Sequence, residues 1–431
     1  MVTPVARTWF RYHGQTFRVA ARYTFGESER MLDTGAVTRT RTAPALAALS
    51  VGTFAIGMTE FVITGLLPDI ATDLRVSIPT AGLLISGYAL SVVFGGPLVT
   101  SLLVARSRRP VLVGLLAFFV LGNVLSALAT AYPLMLAGRV VAALGHGSFI
   151  GFATVVAGDL MPDRRSRAIG AMLAGLTLST VAGVPLGTLL GQQFGWRATF
   201  WTMAGLGLIA ALATALFVPD SRPARSTGQL GAFRNLELWL ALALTACAFG
   251  AVYAPFTYVA PLMTDVAGFP VGALPWLLAL FGTGLVLGNV IGARAADRWL
   301  MGTVVGASVA MLAVLLIFPV AARSPVPAAI TLFVLGVVAY ATVPGLTNRV
   351  LVAAGPDGQN LLASSAAVSA FNLGNAAGAY FGGRAIAAGW GYASTPLVGA
   401  GMEALALVLA AVLLARRSRS TLDRDLLDDR V

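Results

Sequence analysis

The sequence predicts an all-α integral membrane protein, with twelve transmembrane helices in two pseudo-symmetric six-helix bundles. Three observations carry this. The 431 residues are 57% hydrophobic and only 11% charged, with a mean hydropathy of +0.83, whereas a soluble domain is roughly 45–50% apolar and 25% charged. Twelve apolar runs each come near the roughly 20 residues that a helix needs to cross a bilayer. The basic residues fall into alternate loops.

The runs are residues 45–67, 80–103, 110–130, 133–158, 168–191, 199–218, 238–262, 274–293, 302–322, 328–348, 360–386 and 395–415. They do not alternate as membrane β-barrel strands do. Residues 1–43 are polar and dotted with Arg, and they lack the apolar region of a signal peptide. They read either as a disordered tail or as sequence ahead of a start at Met31. All 29 basic residues are Arg. Without Lys, a P-loop, a kinase strand lysine and a Schiff-base amine are excluded in standard form. One cysteine, Cys247, and two histidines, His13 and His146, give no disulfide within the chain and no Cys- or His-rich metal centre. No cofactor is expected.

The formal charge of +11 raises the question of a nucleic-acid partner, and the placement of the charges answers it. Twenty-four Arg lie in the two tails and in alternate loops, four (Arg75, Arg197, Arg323, Arg384) lie on the other side, and Arg139 is inside a span. Charge dispersed over short loops marks the cytoplasmic side of a membrane protein, so both termini are expected in the cytoplasm of a multi-pass cell-membrane protein. No nucleic-acid partner is expected; the lipid bilayer is one.

The chain divides into a tail (1–43), a first bundle (44–218), a cytoplasmic central loop (219–237), a second bundle (238–415) and a tail (416–431). The halves echo each other. Gly195-Trp196 precedes span 6 as Gly389-Trp390 precedes span 12, and the Arg cluster after span 2 matches Asp297-Arg298 after span 8. Parallel six-helix repeats place a substrate site between the halves near the midplane. Small residues recur every four positions in four spans: Gly87, Ser91 and Gly95; Gly183, Gly187 and Gly191; Gly284, Gly288 and Gly292; Gly374, Gly378 and Gly382. Such stripes let helix backbones approach closely. We expect spans 2, 5, 8 and 11 to use them as the interface between halves, although ordinary tight packing explains any one stripe. Gly282-Thr283-Gly284 lies within a span and lacks the preceding strand of a dinucleotide loop.

Four segments carry a family resemblance. Span 1 reads Thr59-Glu60-Phe61-Val62-Ile63-Thr64-Gly65-Leu66-Leu67-Pro68-Asp69. Span 4 has Arg139 ahead of Gly145-His146-Gly147. Span 5 reads Gly183-Val184-Pro185-Leu186-Gly187 and continues to Gly191. Gly195-Trp196-Arg197-Ala198-Thr199-Phe200 opens span 6. Together they resemble the major facilitator superfamily, in particular its twelve-span drug/proton antiporter branch, and are similar to chloramphenicol-resistance and arabinose-efflux-permease-like exporters. Val104-Ala105-Arg106-Ser107-Arg108-Arg109 keeps the basic part of the family's loop 2–3 motif without its Asp and Gly, while Asp297-Arg298 keeps the acidic member. The resemblance implies alternating access, proton antiport and a monomer.

Ionisable groups within spans are expensive and are functional candidates by default. Glu60 and Arg139 each lie about seven residues, roughly 10 Å, from the outer ends of spans 1 and 4, and by the resemblance both spans line the central cavity. We expect a direct or water-bridged Glu60–Arg139 pair, working either as a proton-coupling site or as a static salt bridge. His146 is a proton-relay candidate or a neutral packing residue. Glu403 in span 12 is expected to pack with Arg384, and Asp69 to lie at a helix end. For the substrate, spans 7 and 10 offer Tyr253, Phe256, Thr257, Tyr258, Tyr340, Thr342 and Asn348. Aromatic rings with a few hydroxyls suit a small amphipathic compound, although aromatics also form interface belts. A chloramphenicol-type antibiotic is the sharpest expectation for the cargo. Export of a sugar, nucleoside or other metabolite is the alternative, an integral-membrane enzyme lacks a His/Asp/Ser cluster, and a sensor lacks a signalling domain.

Overall fold

The protein is described here by a computed structural model. It covers residues 7–12, 15–20, 25–221, 234–354 and 361–428, with side chains within 42–221, 234–354 and 364–416. The first bundle contains α1 (Phe25–Phe61), α2 (Ile63–Asp73), α3 (Ile78–Leu103), α4 (Arg108–Ala127), α5 (Tyr132–Leu144), α6 (His146–Leu160), α7 (Arg165–Leu178), α8 (Val184–Phe194) and α9 (Trp196–Phe217). The second contains α10 (Leu236–Phe256), α11 (Val259–Pro261), α12 (Leu274–Arg298), α13 (Leu300–Ala321), α14 (Pro325–Ala353), α15 (Leu361–Ala387) and α16 (Thr395–Asp428). Among the described residues, eleven segments are long and apolar enough to cross a membrane. The remaining span, α15, is long enough, but it carries Ser364, Ser365, Ser369, Asn372 and Asn375 and runs between α3 and α10.

Both tails carry regular elements. Two strands, β1 (Arg7–Tyr12) and β2 (Gln15–Ala20), pair antiparallel, with Trp9 opposite Arg18 and Phe10 opposite Phe17. Trp9, Phe10, Tyr12, Phe17 and Val19 are residue types that favour strands. The first helix starts at Phe25, and no Pro interrupts it before Pro44. The last continues to Asp428 through a stretch without Gly or Pro, the two strongest helix breakers. Residues 222–233 of the expected central loop lie outside the described residues.

Proline accompanies the breaks in spans 5 and 7. Span 5 passes from α7 to α8 through a π turn, Ser179–Gly183. Pro185 follows it without an N–H, which frees a carbonyl one turn back. Span 7 passes from α10 to α11 at Thr257–Tyr258 and into a second π turn, Leu262–Val266, just past Pro261. Its counterpart, span 1, breaks at Val62 between α1 and α2, where Gly65 N–H donates to the Val62 carbonyl at 3.1 Å and Thr64 Oγ1 to the Phe61 carbonyl at 2.8 Å.

The two bundles are packed alike. In the first, span 1 lies against spans 5 and 6, span 4 against spans 2 and 3, and span 3 against span 6; in the second, span 7 lies against spans 11 and 12, span 10 against spans 8 and 9, and span 9 against span 12. The surface carries large apolar side chains, with Phe94, Phe194 and Trp276 all at least 70% exposed. A surface of this kind is suited to lipid rather than water.

The seam between the bundles runs along α3 and α15, and along α8, the adjoining π turn and α12, with α2 against α11. Ser86 Oγ donates to the Ala376 carbonyl at 3.0 Å, Ser369 Oγ to Val93 at 3.2 Å, and Gln192 Nε2 to Val271 at 3.0 Å. The glycine stripes point elsewhere, which corrects the expectation. A side chain at Gly87 or Gly95 would meet Leu136 or Leu144 of α5, and one at Gly183, Gly187 or Gly191 would meet α1, α2 or α9. At Gly284, Gly288 and Gly292 it would meet the α14 backbone, and at Gly374 and Gly378 the α10 backbone. Each stripe therefore glues helices within one bundle. The seam uses other faces.

At the Arg-poor end Arg197 binds three segments together. Its Nη1 donates to Asp73 Oδ2 at 2.6 Å and its Nη2 to the Ala129 carbonyl at 2.7 Å, and the guanidinium lies 4.2 Å from the Trp196 ring. The Arg197 hydrogen bond holds the Asp73 carboxyl below the ordinary carboxylate range. Asp73 is 46% exposed, so solvent screens the pair and Arg197→Ala is expected to cost at most about 1 kcal/mol. That difference is present above pH about 4 and fades as acid protonates Asp73. Thermal unfolding of wild type and variant at pH 7 and pH 3 measures it; a difference that grows in acid would contradict the assignment.

Candidate functional site

The break in span 1 sets the site. Glu60 closes the last turn of α1, and Phe61 and Val62 follow at the discontinuity. Glu60 keeps 12% of its side chain exposed. Its Oε1 accepts a hydrogen bond from Asn375 Nδ2 at 3.1 Å, across the seam from α15. Its Oε2 lies 3.9 Å from His146 Nε2, and His146 is the first residue of α6, just past the span 4 break at Gly145. His146 Nδ1 shares a 3.1 Å hydrogen bond with Tyr88 Oη. If the tyrosine donates, the imidazole proton sits on Nε2 and faces the carboxylate.

Arg139 is not within ion-pair distance of Glu60, which corrects the expected direct pair. Its Nη1 donates to the Thr59 carbonyl at 2.9 Å and its guanidinium sits 4.1 Å over the Tyr88 ring. Backbone acceptor and aromatic face supply the compensation that a guanidinium with 1% exposure requires. Nε and Nη2 make no hydrogen bond. Glu60, His146, Tyr88 and Arg139 thus form one cluster built from α1, α6, α3 and α5, and Asn375 ties it to the second bundle.

Aromatic rings adjoin it. Phe61 from the first bundle lies 6.1 Å from Tyr253 and 6.5 Å from Phe256, both in α10. Phe249 joins Tyr253 at 5.5 Å, Tyr340 at 6.0 Å and Phe371 at 4.7 Å, while Phe256 stacks on Phe281 at 4.3 Å. Tyr253 Oη lies near the Asn375 amide, outside hydrogen-bond geometry, and is buried without a partner. The structure therefore brings Tyr253, Phe256 and Tyr340 together beside Glu60. Thr257 sits in the span 7 break with its hydroxyl buried and unpartnered. Thr342 bonds the Ala339 carbonyl of its own helix at 2.6 Å. Asn348 is exposed on α14, about 12 Å along the helix axis from Tyr340.

Tyr258 is corrected: it is a seam residue. It is fully buried, its Oη donates to the Ala379 carbonyl at 2.8 Å, and its ring fills the space that Gly82 and Gly383 leave open. Glu403 is also corrected. It is fully buried beside Ser308, with neither carboxylate oxygen hydrogen-bonded, while Arg384 is exposed. Asp297 and Arg298 are exposed at the end of α12. In the first half, Arg108 pairs with Asp159 at the end of α6, which supplies the link to a neighbouring helix that the loop 2–3 sequence leaves open. Arg349 pairs with Glu237 at 3.1 Å in the second half.

Sequence reasoning missed Asn375, Tyr88, Phe61, Phe249, Phe281 and Phe371. A signal existed for Asn375, because an amide deep within a span is costly unless it is partnered. For the rings no local signal distinguishes a cluster from packing.

The chain is similar to known membrane transport proteins. The sequence model of the Major Facilitator Superfamily matches residues 49–361. The chain is 40% identical over 370 residues to the inner membrane transport protein YdhP of Escherichia coli K12, covering 84% of this chain and 94% of that one. It is 38% identical over 338 residues to the chloramphenicol resistance protein of Streptomyces lividans, covering 77% and 86%. Its fold matches the crystal structure of a bacterial homologue of the human lysosomal transporter Spinster in an inward-facing, unoccupied conformation, with a TM-score of 0.66 at 20% identity over 87% of this chain and 96% of that one.

Proposed function

We propose, since this chain belongs to the Major Facilitator Superfamily of multi-pass membrane transporters, that it is a proton-coupled antiporter exporting a small amphipathic compound by alternating access. The observation that carries the proposal is Glu60. It is a carboxylate at a helix break, in contact with His146 and joined across the seam by Asn375. A group so placed touches both moving bodies, so its charge is felt by the equilibrium between them. Protonation from the outer side and release to the cytoplasm is the coupling step. The ring set around Tyr253 and Phe249 supports an aromatic cargo, and the relative named for chloramphenicol resistance makes a chloramphenicol-type antibiotic the first compound to try.

The Arg-rich end is assigned to the cytoplasm. Toward the other end α2 meets α11 and α12, and α8 meets α12; toward the Arg-rich end α6 meets α15, whereas α7 makes no extended contact with α12. This arrangement suits a state closed to the outside. The transporter is proposed to work as a monomer.

In a drug-sensitive bacterium expressing the chain, radiolabelled chloramphenicol is expected to accumulate several-fold less than in control cells, and a protonophore is expected to restore it. Equal accumulation with and without the protonophore, and no resistance, would remove the phenicol from the proposal. Metabolites would then be screened as cargo.

A further inference from the structure

We infer that Asn375 is the residue through which the second bundle reads the protonation state of Glu60. The inference rests on the reading of Glu60 as the proton-carrying group. The geometry is specific. Among the described residues, Asn375 makes the one side-chain hydrogen bond to Glu60, at 3.1 Å, and does so from the opposite bundle. Its Oδ1 is buried without a partner, and so is Tyr253 Oη beside it. The remaining groups facing Glu60 are His146 on α6, Arg139 on α5, Tyr88 on α3, Tyr253 on α10 and Tyr340 on α14. Every one of those on the first bundle moves with Glu60. Tyr253 and Tyr340 share the second bundle with Asn375, and neither is hydrogen-bonded to the carboxylate.

An amide suits this position for a chemical reason. An ionised carboxylate only accepts hydrogen bonds, and Asn375 presents its donor, Nδ2. A protonated carboxyl also donates, and the idle Oδ1 is the matching acceptor. A half-turn of the amide about its last side-chain bond exchanges the two. It offers Oδ1 to the Glu60 hydroxyl and turns Nδ2 away from the carboxyl. The two protonation states of Glu60 thereby select two side-chain arrangements on α15. α15 lies on the seam against α3, and α10 carries Phe249 and Tyr253 of the ring cluster. Asn375 is a positioning residue: it acts through Glu60 and carries no proton itself.

The test needs no substrate. The full chain, with Cys247→Ser and spin labels replacing the exposed Arg167 and Arg294, is reconstituted in liposomes. The distance between the labels, which sit at the Arg-rich ends of spans 5 and 8, is followed against pH by electron resonance. In parallel, infrared difference spectra taken between acid and neutral pH report the carbonyl band of protonated Glu60, identified by its loss in Glu60→Gln. Wild type is expected to show both the band and a pH-dependent distance. Asn375→Ala is expected to move the band to higher frequency and to displace the distance midpoint by about one pH unit, a tenfold change in proton concentration, or to abolish the response. Asn375→Asp puts a second carboxylate beside the first and is expected to raise the midpoint by a similar amount; it also covers the case in which the alanine variant fails to fold. An asparagine that only packs in the seam, without bonding Glu60, would move neither readout when replaced by Ala. If the distance ignores pH in wild type, or its response survives Glu60→Gln, the proton-coupling reading falls and this inference with it. If the response needs Glu60 while both Asn375 variants keep the wild-type band and midpoint, only the role of Asn375 is overturned.

Discussion

Glu60→Gln is expected to abolish gradient-driven export while leaving downhill movement of the same compound nearly intact. Gln keeps the size of the side chain, and its carbonyl still accepts from Asn375 Nδ2, so the 3.1 Å link across the seam is retained. What is lost is the change of charge. A transporter whose two conformations no longer differ in proton occupancy has no differential interaction with the proton, and the gradient cannot bias it. Reconstituted into vesicles with an imposed pH difference, the variant is expected to lose uphill transport of the compound identified in the accumulation assay by at least about tenfold, equivalent to roughly 1.4 kcal/mol of coupling. Counterflow without a gradient should stay within a few-fold of wild type. Undiminished uphill transport would take Glu60 out of the mechanism. Loss of both activities would mark it as a binding or folding residue. Asp at this position keeps the charge but shortens the reach to Asn375, so partial coupling is expected there.

The membrane fold was legible because a bilayer leaves few alternatives. Backbone groups in lipid must be satisfied internally, so an apolar run of sufficient length is a helix, and the twelve runs locate the spans. The run hardest to justify by hydropathy, α15, is the one whose amides and hydroxyls face α3, α10 and the site. The site was half legible. Glu60 and His146 stood out because charge and imidazole are rare within spans, and they meet at 3.9 Å. The expected direct contact between Glu60 and Arg139 is absent for a physical reason. Equal depth along two helices says nothing about azimuth, and Arg139 is turned toward the Thr59 carbonyl and the Tyr88 face. Asn375 and Phe61 reach the cluster by crossing the seam or by lying next to a break, and neither relation is written in local sequence. The small-residue stripes show the same limit. Spacing reveals that a helix has a close neighbour and leaves open which neighbour it is.

That distinction makes the glycines separable by experiment. A Cβ at Gly284 would stand 2.5 Å from the Phe333 carbonyl oxygen, and at Gly288 and Gly292 it would collide with the carbonyls of Val337 and Ala341. These contacts lie between α12 and α14, within one bundle, and the colliding atoms are backbone. Gly288→Ala must therefore push two helices apart, and the expected loss is at the upper end of the roughly 1–3 kcal/mol of an overpacked core, seen as a lower melting temperature and yield in detergent. Because the two helices travel together, protein that does fold should cycle normally. Gly282 is on another face of the same helix, against the backbone of Thr180 and Val181 across the seam. Gly282→Ala is expected to leave bundle stability near wild type and to disfavour the state in which that part of the seam is closed, with transport falling by about tenfold for each 1.4 kcal/mol of bias. Gly306, with open space where a side chain would go, is the control, and Ala there should be neutral or stabilising by up to about 1 kcal/mol. The reverse pattern, a stable Gly288→Ala protein that cannot cycle, would make the stripes the moving surface after all.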